Sequence, residues 1–489
     1  MHAKPDDSPQ ITTRGKRGNN TIPQDPVPFS GITVLVVGLG IAGLTAALEC
    51  SRRGHKVIGF EKKKDTNQLG DVIGLSGNSM RILSQWNQGS LAELVDEDII
   101  CAVEALELHD TAGTIRAAMP YHPESPAQGY LFRRTGLLTK LYELAIRAGI
   151  DLRFGVNVMR YWEDADNAGV YIGEKRIVGD CVIAADGFYS AGRTAITNED
   201  PVQQPIGAVM YRAIFDAQEI AHVPEAAWLL KKAPKADILP SFYGKDVMVM
   251  MGTAAKGRYV HWACTIRGEV QQASEAWMQP ASVEPVLDCV RNWPAASKLN
   301  AVLSRTPPGA CFNHTMLAMP PLRTWVSDKG RMVVIGDAAH PFLPYAGQGA
   351  NQAIEDAASV AICLERAGRG MYLWLCGCLR SSGAYFYSFA KSFSSFRLTG
   401  SDTYSWLRHK RVSLIQEGSV EAKDSFLKAN WDSDDEAGSP SAYLHQSWVY
   451  NHDCVQHVVE EFQIAADAIR HGRKYIPTNV PVDGKYRQE

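Results

Sequence analysis

Gly38, Gly40 and Gly43, in the segment GLGIAG, stand at the spacing that lets a backbone turn tightly, approach a pyrophosphate and then pack a helix against a strand. Glu61 follows about 20 residues on, where a carboxylate can accept both hydroxyls of a ribose. Two further acids, Asp186 in AADG and Asp337 in IGDAAHP, each close a short apolar run. Asp337 is placed to accept hydrogen bonds from a polyol chain, and backbone N–H groups around Gly347 to Asn351 can face an electron-rich ligand edge. His340 has the chemistry of a general base, but its place three residues after Asp337 suits fixing the loop better. Cys376 and Cys378 lack the second pair that structural zinc requires, so no metal is expected.

The elements around these residues give them meaning. Ile32 to Val37 reads ITVLVV, the unbroken apolar run of a parallel strand covered on both faces. A helix from Leu44 to Arg53, Gly54 as its C-cap and a second strand Lys56 to Phe60 complete a β-α-β unit ending at Glu61. This order makes a dinucleotide site far better supported than a lone glycine pattern, yet leaves FAD and NAD unresolved. DCVIAADGFYSAGR and RMVVIGDAAHPFLPYAGQGANQAIED each read as a strand delivering its Asp to the carboxyl end of a sheet, where open α/β folds bind ligands. Between them the texture changes to short strands at Ala208 to Asp216, Asp237 to Tyr243, Val247 to Gly252 and Tyr259 to Ile266, with turns at Gly244-Lys245-Asp246 and Ala254 to Gly257.

A chain of 489 residues needs two or three units sharing an interface and can enclose a large cofactor. The formal charge of -3 gives no bias toward nucleic acid, and the scattered ten cysteines read as reduced thiols of a cytoplasmic protein. No stretch reaches the roughly 18 apolar residues needed to span a bilayer, so no membrane partner is expected. Nothing in the composition fixes an oligomeric state. The expected division is a disordered lead-in over 1–31, a discontinuous cofactor domain over 32–200 and 315–365, a substrate domain over 201–314 and a partly helical, divergent segment over 366–489.

Together, GLGIAG, ADG and GDAAHP resemble the three motifs of the class A FAD-dependent aromatic hydroxylases, the family of p-hydroxybenzoate and salicylate hydroxylases. The likeness covers about residues 32 to 365. It implies an α/β fold: a Rossmann-like FAD-binding domain with an inserted antiparallel β-sheet substrate domain and a helical C-terminus. It also implies FAD contacts at Gly74 in DVIGLSGNS, Arg134 in LFRRTGLL, Asp337 and Ala350, beside Gly38, Gly40, Gly43 and Glu61. Arg133 is the open alternative to Arg134. The inserted sheet would lie over the flavin, and Arg212 in MYRAIF and Tyr243 in PSFYGK would be the catalytic pair. An arginine lowers a phenol's pKa and a tyrosine hydroxyl holds the oxygen in register, favouring the phenolate that most readily accepts oxygen. The alternative for this pair is sheet packing and a surface ion pair.

The resemblance implies a monooxygenase in which NADPH or NADH reduces FAD, O2 forms a flavin C4a-hydroperoxide, and a phenolic or other aromatic metabolite of secondary metabolism is hydroxylated in a dry pocket. A nicotinamide that visits transiently fits the single glycine fingerprint. Alternatives are an epoxidase of an alkaloid or alkene on the same fold and an inactive flavin-binding protein. A flavin halogenase fits less well, since W-x-W-x-I-P is missing. From Arg366 the pattern fades. Residues 370–402 lack helical periodicity and read as a surface insertion or a retained intron, Gly370-Met371-Tyr372 being encodable by GGT ATG TAT with its GTATGT donor. WLRHKRVSLIQEGS again resembles the family's basic helix, Trp431 to Pro440 reads as an acidic loop and Ala442 to Arg470 as helical.

Overall fold

A computed structural model of the chain describes residues 28–65, 70, 72–86, 93–120, 129–199, 202–268, 279–378, 386–428 and 446–487, with side chains described except at 119–120, 369–378, 386–399 and 428. The lead-in, apart from its last residues, and the acidic loop lie outside the described residues.

Five parallel strands form the cofactor sheet in the order Met332–Val334, Cys181–Ala184, Thr33–Val37, Lys56–Glu61, Asp151–Phe154. Val34, Leu35 and Val36 are fully buried because the helix Ile41–Arg52 covers one face and the meander Arg160–Glu163, Ala168–Ile172, Lys175–Gly179 packs toward the other. Each buried aliphatic side chain of this kind contributes about 1.5–3 kcal/mol. A parallel sheet aligns all its carboxyl ends, which brings the glycine turn, Asp186 and Asp337 to one edge although almost 300 residues separate them in the chain.

Between the strands Cys181–Ala184 and Met332–Val334 the chain leaves to build an eight-stranded sheet. Its antiparallel centre is Cys311–Ala318, Gln204–Asp216, Tyr259–Arg267, Val247–Ala254 and Asp237–Gly244. The four strands expected from alternation are all present. The sheet also recruits Val103–His109 and Ile115–Pro120 from within the stretch assigned to the cofactor domain, Val103–His109 pairing in parallel with Asp237–Gly244. The substrate sheet is thus mixed, and it draws on residues 103–120 outside the expected 201–314; such long-range pairing leaves no local mark in the sequence.

Beyond the third motif the helix Gly349–Cys378 packs on the fingerprint helix, and the helices Phe386–Lys428 and Cys454–Arg470 pack on it in turn. Residues 370–378 and 386–402 are helical, although their sequence lacks a steady apolar stripe. Among the described residues, no helix is long and apolar enough to cross a membrane.

Candidate functional site

The glycine turn divides its three glycines by task. Gly38 has φ +87°, and a Cβ there would stand 2.4 Å from the Ala185 carbonyl oxygen. A Cβ on Gly43 would stand 1.8 Å from the Gly38 oxygen, so the helix seats directly on the turn. Gly40 differs: its Cβ would meet nothing within 4 Å. The backbone is therefore packed on the protein side and bare on the other, the arrangement a pyrophosphate needs. Glu61 is 7% exposed at the end of its strand, where one oxygen accepts from Leu39 N at 2.9 Å and the other from Lys63 N at 2.9 Å. It braces the turn, and its remaining lone pairs could accept the hydroxyls of a ribose.

Asp337 is the exposed residue in the otherwise buried run 331–341. Protein surrounds it on its other sides, so burial raises its pKa while His340, Arg134 and Arg193 pull it down. Its carboxylate is exposed just past the end of the strand Met332–Val334, where it can accept hydrogen bonds from a ligand. Asp186, by contrast, is spent within the protein: its carboxylate accepts from the Ser190 hydroxyl, from Gly192 N at 2.9 Å and from Tyr161 Oη at 3.1 Å. It steadies the start of the helix Ala191–Thr197, whose N-cap Ser190 accepts from Arg193 N at 2.7 Å. That helix carries Arg193, buried to 5%, which donates to the Ala338 and Asp337 carbonyls at 2.8 Å each and ties the second motif to the third. Its sequence signal was the conspicuous arginine in SAGR.

The two adjacent arginines diverge. Arg133 lies over the Tyr259 ring at 4.6 Å, toward the substrate sheet. Arg134 opens the helix Arg134–Arg147 and acts electrostatically on Lys63, beside Glu61, and on Asp337. It thus lies between the two acid ends of the cradle, where a diphosphate would run.

Gly74 and Ala350 meet through Asn351, which is fully buried. Its amide donates to the Gly74 carbonyl at 3.1 Å and the Gly347 carbonyl at 2.7 Å, and its oxygen accepts from Ser76 N at 2.8 Å and Ser79 Oγ at 2.5 Å. The start of the long helix is thereby held against the strand Val72–Leu75, and a Cβ on Gly347 would meet nothing within 4 Å. Exposed backbone at a helix N-terminus is suited to an electron-rich ring.

Beneath this lies an ionic network. Arg408 donates to Glu355 and, at 3.0 Å, to Asp356, while Arg411 reaches Glu355 at 3.4 Å. Burial raises the carboxyl pKa values, but the guanidinium charges, with His340 at Asp356, overcome it and hold both acids low. His340 Nε2 contacts Asp356 at 2.5 Å and is 1% exposed, which fits a loop-fixing role rather than proton transfer with a ligand. The basic helix after the faded pattern is therefore part of the working fold. Glu355, His452 and Cys454 converge as three metal-ligating types, but Arg408 and Arg411 already supply the positive charge there.

Arg212 and Tyr243 occupy one face of the substrate sheet, Met210 and Tyr243 sharing a cluster with Leu343 and Tyr345 of the third-motif loop. The structure does not bring the pair together. Arg212 aligns with Ala263, Ala263 with Met250 and Met250 with Ser241, so three strand spacings, about 14 Å, lie between their strands. Arg212 turns the other way, its guanidinium 3.4 Å from His314 Nε2 on the strand Cys311–Ala318. Tyr243 is 4% exposed, stacks on Phe426 at 5.6 Å, and burial pushes its pKa up. His314 is held neutral, its pKa lowered to about 3 by burial and by Arg212. It was not legible in the sequence, because only strand register sets it beside the arginine.

The open glycine face, Glu61, Arg134 and the exposed Asp337 are groups that could hold FAD, and comparison with known proteins agrees on that cofactor. Residues 31–371 match the model of a family described as FAD binding domain. Notoamide E oxidase of Aspergillus versicolor is 57% identical over 96% of this chain and 98% of its own. An FAD-dependent monooxygenase of Aspergillus sp. (strain MF297-2) is 40% identical over 94% of this chain and 98% of its own. The crystal structure of CtdE in complex with FAD and substrate 4 superposes with a TM-score of 0.80 at 36% identity, covering 90% of this chain and all of that one.

Proposed function

The chain belongs to the FAD binding domain family and is an FAD-dependent monooxygenase of secondary metabolism, and from that premise we propose that it uses NADPH or NADH and O2 to insert one oxygen atom into an aromatic metabolite of the notoamide E class. The substrate class rests on the notoamide E oxidase relative, which aligns over nearly the full length of both chains. A cytoplasmic location is part of the same reading, from the eight reduced thiols among the described residues.

When bound, FAD supplies the two-electron chemistry, taking hydride from a nicotinamide and activating O2. Glu61 would hold the adenosine ribose, Gly38, Gly40 and Gly43 would bring backbone to the pyrophosphate, and Arg134 would offset its charge. Asp337 would accept from the ribityl chain, while Gly74 and Ala350, joined through Asn351, would give the ring system close backbone. Met210, Met248 and Ala263 on the apolar face of the substrate sheet would keep water from the reaction. Arg212, fixed by a neutral His314, presents a permanent cation to a polar or anionic atom of the substrate. Tyr243 remains a neutral phenol and a hydrogen-bond donor at the far end of the face.

The observation that carries the choice of chemistry is the divergence of Arg212 and Tyr243. One phenol oxygen cannot be held by both, so the arrangement favours transfer to an electron-rich ring carbon or double bond, as in the epoxidase alternative, over hydroxylation of a phenolate gripped by the pair. Hydroxylation of a phenol paired with Arg212 alone is the second reading. With purified holoenzyme and notoamide E, substrate should stimulate nicotinamide oxidation and yield a product heavier by one oxygen. Arg212→Met should lose coupling to peroxide while Tyr243→Phe retains it. Equal, non-additive losses in the two variants would instead support the paired phenolate, and oxidation unaffected by substrate would remove notoamide E from consideration.

A further inference from the structure

The opposite face of the substrate sheet carries chemistry that oxygen transfer does not use. Cys264 lies on the central strand Tyr259–Arg267, between Ala263 and Thr265, which face the substrate side. Its own side chain points into the second core, which also contains Cys311 and partly buried Cys289. Cys289 sits on the short helix Glu284–Val290, which packs against that strand. Cys264 and Cys289 meet in this core, near enough for each thiol to act on the other's ionisation. Cys264 is buried, whereas Cys289 is only partly so. Cys289 Sγ donates to the Val286 carbonyl at 3.2 Å, and Cys311 turns instead toward the Ser282 carbonyl at 3.8 Å.

We propose that Cys289 and Cys264 form a peroxide-responsive dithiol that closes to a disulfide, tying the helix Glu284–Val290 to the central strand of the substrate sheet. The geometry assigns distinct roles: a partly exposed cysteine to react first and a buried one in the same core, on the strand its helix packs against, to resolve it, the disposition of redox-sensing cysteines. The oxidant is hydrogen peroxide, which any flavin monooxygenase releases when O2 is reduced without transfer to substrate. Cys289 as thiolate attacks one peroxide oxygen; the O–O bond breaks, hydroxide leaves, and a sulfenic acid forms. Cys264 then attacks that sulfur, the S–O bond breaks, and the departing hydroxide takes the Cys264 proton as water. The sum is two thiols and one peroxide to one disulfide and two waters, with the sulfurs losing the two electrons that peroxide gains.

The electrostatics agree with this order. The neighbouring Cys264 thiol holds Cys289 below its usual range, more than offsetting burial, while burial and the same neighbour push Cys264 up. Cys50, Cys101, Cys363 and Cys454 are buried with pKa values raised chiefly by burial, and they serve as internal controls.

The test uses the full-length holoenzyme exposed to a few equivalents of hydrogen peroxide, blocked with iodoacetamide, digested without reductant and mapped by mass spectrometry. The expected product is a Cys264–Cys289 linked peptide, lighter than its two reduced parts by two hydrogens and lost on treatment with dithiothreitol. In Cys264→Ser, Cys289 should instead be trapped by dimedone as sulfenic acid; in Cys289→Ser, Cys264 should remain unoxidised. The proposal is overturned if Cys289 is recovered alkylated after peroxide, or if it reaches sulfinic acid equally fast in wild type and Cys264→Ser with no linked peptide. Added peroxide makes the outcome independent of the substrate assigned above.

Discussion

Gly40→Ala and Gly43→Ala put one methyl group at two positions of the same turn, and the structure separates their consequences. At Gly40 the backbone is extended, φ -76° and ψ -165°, and the new methyl meets nothing within 4 Å. Exchanging glycine for alanine at this helix N-cap costs the fold under about 1 kcal/mol. The methyl enters the space assigned to the pyrophosphate, and a charge-assisted hydrogen bond lost there is worth about 1.5–3 kcal/mol. At 1.4 kcal/mol per tenfold, FAD affinity should fall roughly 10- to 100-fold. At Gly43 the methyl would stand 1.8 Å from the Gly38 oxygen and 3.3 Å from Val36 Cγ1. Overpacking against backbone costs ~3 kcal/mol or more, partly offset by ~1 kcal/mol of helix propensity, so this variant should lose ~2 kcal/mol of stability. Fluorescence titration of FAD into apoprotein and denaturant unfolding of the same samples read the two effects apart. The reasoning fails if Gly40→Ala binds FAD like wild type, or if it unfolds as easily as Gly43→Ala.

Three further outcomes follow from buried polar groups. Arg408→Met removes the cation shared by Glu355 and Asp356, leaving Arg411 and His340 beside them, and should cost about 3 kcal/mol in denaturant unfolding, a cost near zero showing that the network is dispensable. Asn351→Ala orphans the groups that bridge Gly74 to the long helix; a loss of ~3 kcal/mol with weakened FAD binding is expected, and unchanged FAD affinity would remove it from the cradle's support. His55, His314 and His452 have folded pKa values lowered from 6.5 to about 4, 3 and 2, in each case chiefly by burial. They stay neutral when folded and protonate when unfolded, so their stabilising contribution is complete above pH 6.5 and is lost as pH falls toward the folded values. Near pH 5 unfolding should take up about three protons, a slope of ~4 kcal/mol per pH unit. Unfolding free energies that stay level from pH 7 to 5 would contradict this, and His314→Gln should reduce the slope by about a third.

The cofactor half of the molecule was legible because its signals are local. An apolar strand, a glycine spacing and an acid at the next strand end lie within 32–61, and the structure repeats them nearly residue for residue. The alternating strands of the inserted sheet were legible for the same reason. Asp186 and Asp337 looked alike in sequence because both end a strand, yet Ser190, Gly192 and Tyr161 occupy one while the other faces open space. The distance between Arg212 and Tyr243 was hidden in strand register, which no single strand encodes. The recruitment of 103–120 and the burial of Arg408 and Arg411 against Glu355 depend on partners tens to hundreds of residues away. A basic helix carries no mark of whether its arginines meet water or buried acids.

The most direct test of the central claim is turnover of notoamide E by the reconstituted flavoprotein with a nicotinamide donor under isotopically heavy O2. One heavy oxygen atom in the product, formed only with FAD present and in proportion to nicotinamide consumed, is the predicted result. A product that gains no oxygen, or gains it from water, would contradict a monooxygenase acting on this class of metabolite.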